Sequence, residues 1–243
     1  MVANLASLLN ASHTPRLVVK IGSALLVEDG SPRRAWLNSL VEDLADLRAK
    51  GTQIILVSSG AIALGAARLG LPRGGRASLA DAQAAASVGQ VALAQLWAEA
   101  LEAHDLTAAQ MLVTLGDLED RRRYLNASAT LDRLVETGAV PVVNENDSVA
   151  TEEIRFGDND RLAARVAQAA SASGVLLLSD VAGLYDRDPS DPQAQRLDRV
   201  EGVTPEIIAM ANAKSGSGMG SGGMLAKLQA VAGCSGGGQG RAR

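Results

Sequence analysis

Five short aliphatic runs, alternating with longer segments of helical spacing, constrain this 243-residue chain more than any other feature. The runs are RLVVKI (16–21), QIILVS (53–58), AQMLV (109–113), AVPVV (139–143) and the stretch 174–178, which closes at Ser179. Each has the length and continuous apolar character of a strand buried on both faces. Between them lie WLNSLVEDLADLRAK, AQAAASVGQVALAQLWAEALEA and NDRLAARVAQAAS, whose apolar residues recur with the helical period. A strand joined to the next through a helical crossover implies parallel pairing, with helices covering both faces of the sheet. The expected class is α/β around a mostly parallel sheet. Aromatic residues make up only 2% of the chain, so the core has to be built from aliphatic strands and alanine-rich helices.

Several function classes fall away on composition. The net charge is −4 with acids and bases interspersed, and Arg121-Arg122-Arg123 is the sole basic cluster in the body. Nucleic acid is not an expected partner, because such surfaces carry basic stripes and stacking aromatics. A single cysteine, Cys234, leaves neither an intrachain disulfide nor a thiolate metal cluster to be formed. There is no apolar stretch of membrane-spanning length, and MVANLASLLNASHTPR lacks the layout of a secretory signal, so a cytoplasmic location is expected.

Beyond Ser179 the pattern loosens. GLYDRDPSDPQAQ has the punctuation of turns around a small hairpin, followed by a helix through TPEIIAMANA, the segment KSGSGMGSGGM and a helix through LAKLQAVA. The tail GCSGGGQGRAR is low-complexity and expected to be disordered.

Ligands of open parallel sheets bind beyond the carboxyl ends of the strands. Four polar or Gly-rich turns occupy that position here: KIGSA, SSGAIALG, NEND and SDVAGLY. Lys20 sits inside the first strand, where a lysine either snorkels to solvent or faces an anion. Gly22 beside it permits close approach of a ligand to the backbone. Ser58-Ser59-Gly60-Ala61 reads as an N-cap, a role compatible with anion binding by the same N–H groups. Gly218 to Gly223 contains a literal G-x-G-x-x-G, but a helix precedes it and the chain stops soon after, so the dinucleotide reading fails. It is either a flexible linker or a loop offering N–H donors ahead of Lys227, an arrangement suited to phosphate.

The stretch NENDSVATEEIRFGDND (144–160) packs six carboxylates and three carboxamides into one connection. Asp158 and Asp160 either orient lysines around an anionic group or merely complement a helix dipole. His13 and His104 are both poorly placed for a triad or a zinc site. Chemistry that needs no imidazole is favoured, and phosphoryl transfer to an acceptor already anionic meets that condition.

VVKIGSALL (18–26), VSSGAIALG (57–65), VGQVALAQLW (88–97), QMLVT (110–114), PVVNENDSVATEEI (141–154), FGDNDRLAARVA (156–167), LLLSDVAGLYDRDP (176–189) and SGGMLAKLQA (221–230) resemble the glutamate 5-kinases. These belong to the amino acid kinases, whose fold is a three-layer α/β/α sandwich. The resemblance spans 14–230, taken as one kinase domain, with 231–243 as an atypical tail and no PUA domain. SSGAIALG and NENDSVA are the more particular motifs; LLLSD-GLY is shared across the wider family.

The resemblance implies ATP-dependent phosphorylation of the side-chain carboxylate of L-glutamate to glutamyl 5-phosphate, the opening step of proline synthesis. It implies that Lys20 and Lys227 stabilise the transferring phosphoryl group and that Asp160 orients them. Ser59, Asp147 and Asn159 would hold glutamate, Asp147 facing its ammonium. ATP would contact Lys20, Ser179, Asp180 and the run Ser221, Gly222, Gly223, Met224, Leu225, Ala226 and Lys227. Mg2+ would accompany the nucleotide, proline would inhibit by feedback, and the assembly would be a homo-oligomer.

The pattern departs from the resemblance at its end. Ser221 stands where Thr is usual, and VAGCSGGGQGRAR replaces the continuing nucleotide lobe, so missing strands are expected to weaken folding or ATP binding. A kinase of another carboxylate or of carbamate, and a non-catalytic glutamate- or proline-binding remnant, are the competing readings.

Overall fold

In the computed structural model the described residues are 14–150, 158–212 and 224–235. Strand β1 (Arg16–Ile21) is followed by a minimal antiparallel pair, β2 (Val27–Glu28) and β3 (Ser31–Pro32), then by β4 (Gln53–Ser58), β5 (Ala108–Val113), β6 (Val140–Glu145) and β7 (Gly174–Leu178). The five longer strands form one sheet in the order β5-β6-β4-β1-β7, with every pairing parallel. Parallel pairing requires crossovers, and helices Arg34–Ala49, Ala61–Leu69, Leu79–Glu102, Arg121–Glu136 and Asp158–Ala169 lie in the connections.

The period-two alternation of the strands distributes residues between two cores. Leu17, Val19 and Ile21 of β1, Ile54 and Leu56 of β4, and Val140 and Val142 of β6 pack with helices Arg34–Ala49 and Leu79–Glu102. Val18, Ile55, Val57 and Val143 point the other way, toward helices Arg121–Glu136 and Asp158–Ala169. The result is a three-layer α/β/α arrangement, as expected for the class. The same parity assigns the polar strand ends. Lys20 shares the face of Val18, whereas Ser58 and Asn144 share the face of Leu56 and Val142.

The edges of the described sheet are wetter than full two-sided burial would give. All five residues of β7 are half-buried, and β5 has exposed positions at Gln110 and Leu112. Each has a paired neighbour on one side only among the described residues. Strand β6 runs further than its aliphatic core, because Leu112 and Val113 of β5 pair with Asn144 and Glu145. The acid-and-amide stretch therefore begins inside the sheet, and Asn144 is buried.

An isolated antiparallel bridge between Tyr185 and Arg196 forms the small hairpin-like turn expected after Ser179. Helices Pro205–Asn212 and Met224–Ser235 follow, the latter running three residues past the expected segment LAKLQAVA, so that 233–235, expected to open a disordered tail, continue the helix. Residues 236–243 of the tail and the Gly-rich positions Ser221, Gly222 and Gly223 lie outside the described residues.

Candidate active site

Lys20, Asp160 and Lys227 converge at the C-terminal end of β1. The parity of β1 turns Lys20 toward helix Asp158–Ala169, whose first turn carries Asp160. Asp160 is fully buried, with Lys20 Nζ 2.6 Å from one carboxylate oxygen and Lys227 Nζ 3.2 Å from the other. Lys227 reaches it from the first turn of helix Met224–Ser235, which packs on helix Asp158–Ala169. One carboxylate between two ammonium groups leaves the trio with a net charge of +1. Both cations are largely withdrawn from water, at the end of the sheet where ligands of parallel sheets bind.

On the other side of the same helix start, Asn159 turns toward β4. Its Nδ2 donates to Ser59 Oγ at 2.7 Å, with Asn144 Oδ1 at 3.3 Å and the Ser58 carbonyl at 3.5 Å. Ser59 and Asn159 are thus neighbours although 100 residues apart. Asp147 is also buried, in the turn after β6 that is pinned by Asn146 N–H donating to the Val113 carbonyl at 2.9 Å. Gln83 closes that turn, its Nε2 donating to the Ala150 carbonyl at 3.0 Å. Arg76, half-buried, lies within charge interaction of Asp147: burial lowers the pKa of its guanidinium and the Asp147 carboxylate opposes that shift.

The serines of SSGA do not cap the following helix. Ser58 Oγ instead accepts from the indole Nε1 of the fully buried Trp97 at 2.8 Å, and Ser59 engages Asn159. The N-cap position falls to Gly60, with φ +114° and no side-chain cap. That conformation suits glycine, and an added Cβ would lie 3.3 Å from Val27 Cγ2. Gly60→Ala is expected to cost about 1–3 kcal/mol from backbone strain. Urea unfolding would check it, and an unchanged midpoint would show that the loop relaxes freely.

Ser179 and Asp180 follow directly on the neighbouring strand β7. Ser179 is half-buried and lines an apolar hollow of about 190 Å³ with Trp36, Leu40 and Leu178, while Asp180 is exposed. Gly22 N–H donates to the Leu178 carbonyl at 3.1 Å, which ties the exits of β1 and β7 together. Met224, Leu225 and Ala226 form the half-buried first turn of the Lys227 helix. Asp158 begins helix Asp158–Ala169. Among the described residues, no group of three or more His, Cys, Asp or Glu side chains converges as a metal site, and no helix is long and apolar enough to cross a membrane.

Sequence reasoning missed Gln83, Gln90, Trp97, Asn144 and Arg76. The first three had a legible signal: they are seven residues apart on one helix, and so share a face.

The profile of the amino acid kinase family matches residues 15–241. A glutamate 5-kinase of Novosphingobium aromaticivorans is 70% identical over 231 residues, which cover 95% of this chain and 61% of that protein. One from Zymomonas mobilis is 62% identical over 94% of this chain and 58% of its own length. The chain thus spans about three-fifths of the length of these relatives. Among solved structures, a product complex of isopentenyl phosphate kinase from T. acidophilum aligns with a TM-score of 0.53 at 19% identity, over 76% of this chain and 79% of that one. That likeness speaks to the fold.

Proposed function

Because the chain belongs to the amino acid kinase family, we propose that it transfers the γ-phosphoryl group of ATP to the side-chain carboxylate of L-glutamate. The product is glutamyl 5-phosphate, and the step begins proline synthesis. The observation that carries the reading is the fully buried Asp160 holding Lys20 and Lys227 on its two oxygens. The glutamate 5-kinases at 62–70% identity support the choice of substrate.

The acceptor needs no base. A glutamate carboxylate has a pKa of about 4.3 and is already ionised at neutral pH. Its oxygen attacks the γ-phosphorus, the bond from phosphorus to the bridging oxygen breaks, and ADP leaves with that electron pair. No proton moves. The work left to the protein is alignment and charge neutralisation. Lys20 and Lys227 meet the equatorial phosphoryl oxygens, where negative charge is spread in the transition state. Asp160 keeps the two cations apart and aimed.

Ser59, Asn159 and Asp147 form the amino-acid pocket, with Asp147 addressing the ammonium. Ser179, Asp180 and the run from Ser221 to Lys227 are assigned to ATP on the resemblance of their motifs. Magnesium would accompany ATP and supply further neutralisation of the phosphate charge beside Lys20 and Lys227. Proline carries the same ammonium and α-carboxylate groups as glutamate, so it fits the pocket as a feedback inhibitor without offering an acceptor. We assign the protein to the cytoplasm, where ATP and glutamate are abundant, and to a homo-oligomer.

Hydroxylamine trapping of acyl phosphate tests the reading on the 243-residue chain. Signal is expected with ATP and L-glutamate together, and should fall to background in Lys20→Ala. Aspartate, N-acetylglutamate and carbamate should give far less. Equal turnover of any of these would displace glutamate as the substrate. Glutamate binding without turnover would make the chain a binding module.

A further inference from the structure

We propose that Gln90 is a positioning residue for the substrate ammonium: through Asn144 it fixes the Asn159 amide so that Asn159 Oδ1 is kept for the ligand. The inference rests on the glutamate reading above.

The argument begins with an unambiguous group. The Ser58 carbonyl can only accept, so the Asn159 atom directed at it is the amide nitrogen. That nitrogen also lies 3.3 Å from Asn144, which must therefore present its oxygen. The Asn144 nitrogen is left pointing away, and Gln90 Oε1 accepts from it at 2.8 Å. The three amides thus share one consistent orientation from the Ser58 carbonyl through Asn159 and Asn144, and the Gln90 acceptor at the far end holds Asn144 in it. With the two hydrogens of its nitrogen shared among three acceptors, Asn159 has its oxygen buried and without a hydrogen-bond partner among the described residues. Buried polar atoms are rarely left in that state. A donor is missing, and the zwitterionic substrate has one in its ammonium group.

The helix that supplies Gln90 is built for this task. On Leu79–Glu102 the side chains of Gln83, Gln90 and Trp97 form a polar seam, and each grips a different wall of the crevice. Gln83 holds the Ala150 carbonyl, Gln90 holds Asn144, and Trp97 holds Ser58. The side chain of Gln90 meets Asn144, on the amino-acid half of the crevice, so its influence is expected there rather than at Lys20 and Asp160.

The test compares Gln90→Met, which keeps side-chain length without an acceptor, with Gln90→Glu, which restores one. In Gln90→Met the KM for L-glutamate is expected to rise by about tenfold, the loss of one ligand hydrogen bond to a charged group. The KM for ATP should stay within about twofold, because the phosphate half is untouched. Glutarate, which lacks the amine, should compete equally well against both proteins. Gln90→Glu should recover most of the affinity for glutamate. Should Gln90→Met fail to fold, Gln90→Ala carries the same comparison.

A glutamate KM unchanged in the variant overturns the inference. So does an equal loss of glutarate and glutamate, which marks a general packing role, or a Gln90→Glu protein as impaired as Gln90→Met. If the wild-type chain itself neither turns over nor binds glutamate, the functional reading falls and this inference with it.

Discussion

Asp160→Ala is expected to remove turnover and to destabilise the fold by about 3–5 kcal/mol, the cost of stranding a buried ionic partner. Here one deletion takes an ionic partner from two lysines, since Lys20 and Lys227 both bear on the same carboxylate. Their side chains are only 7% and 15% exposed, so water cannot take over the role of Asp160 cheaply. Asp160→Asn keeps the shape but not the charge, and should lie between wild type and alanine. The electrostatic sign makes a further demand. Removing the anion raises the charge of the trio from +1 to +2, so ATP should protect the variant against thermal unfolding at least as well as it protects wild type. Catalysis should nevertheless fail, because two unrestrained ammonium groups no longer meet the transition state in fixed positions. A loss of turnover with nucleotide binding retained is therefore the expected signature, read by thermal shift with and without ATP. A variant with wild-type melting and wild-type turnover would sink the orienting role.

The trio was legible in the sequence because its chemistry is costly elsewhere. A lysine inside an aliphatic strand needs a counter-ion, and an aspartate at a helix start three strands later can supply one. The sheet was legible for a similar reason, as continuous aliphatic runs have few places to go but a two-sided interior. The amide relay was not. Asn and Glu are depleted in strands, so Asn144 and Glu145 read as loop until pairing with Leu112 and Val113 draws them into β6. Ser58 and Ser59 read as a cap, since local capping is the commonest fate of such residues. Tertiary partners outbid the local one: Trp97 is 39 residues away and Asn159 is 100. Spacing could place Gln83, Gln90 and Trp97 on one helix face, but not say that the face would meet polar strand ends. Side-chain alternation settles that only once the register of β4 and β6 is known.

The contact that joins this seam to the site gives the second large effect. Helices Ala61–Leu69 and Leu79–Glu102 cross backbone to backbone at Gly65 and Gly89. A Cβ on Gly89 would fall 1.8 Å from the Ala61 carbonyl oxygen, and one on Gly65 would fall 1.8 Å from that of Ala85. Helix propensity alone favours Gly→Ala by about 0.5–1 kcal/mol, so the two effects have opposite signs. Overlap wins, because the opposing atoms are backbone and cannot rotate away. Gly89→Ala is expected to destabilise by about 2–4 kcal/mol, with Gly89→Val worse. Gly116→Ala is the matched control: its Cβ would meet only Thr114 Oγ1, at 3.7 Å, and it should be neutral or slightly stabilising. Urea denaturation of the three proteins separates the cases, and equal stability of Gly89→Ala and Gly116→Ala would refute the close crossing. The separation of the helices has a functional reading too. It shifts Ala61, directly after the Ser59-Gly60 turn, relative to Gln90, directly after Gly89. The variant should therefore lose glutamate affinity even at temperatures where it stays folded, while the Lys20–Asp160–Lys227 cluster, packed on the opposite face of the sheet from helix Leu79–Glu102, should be left as it is.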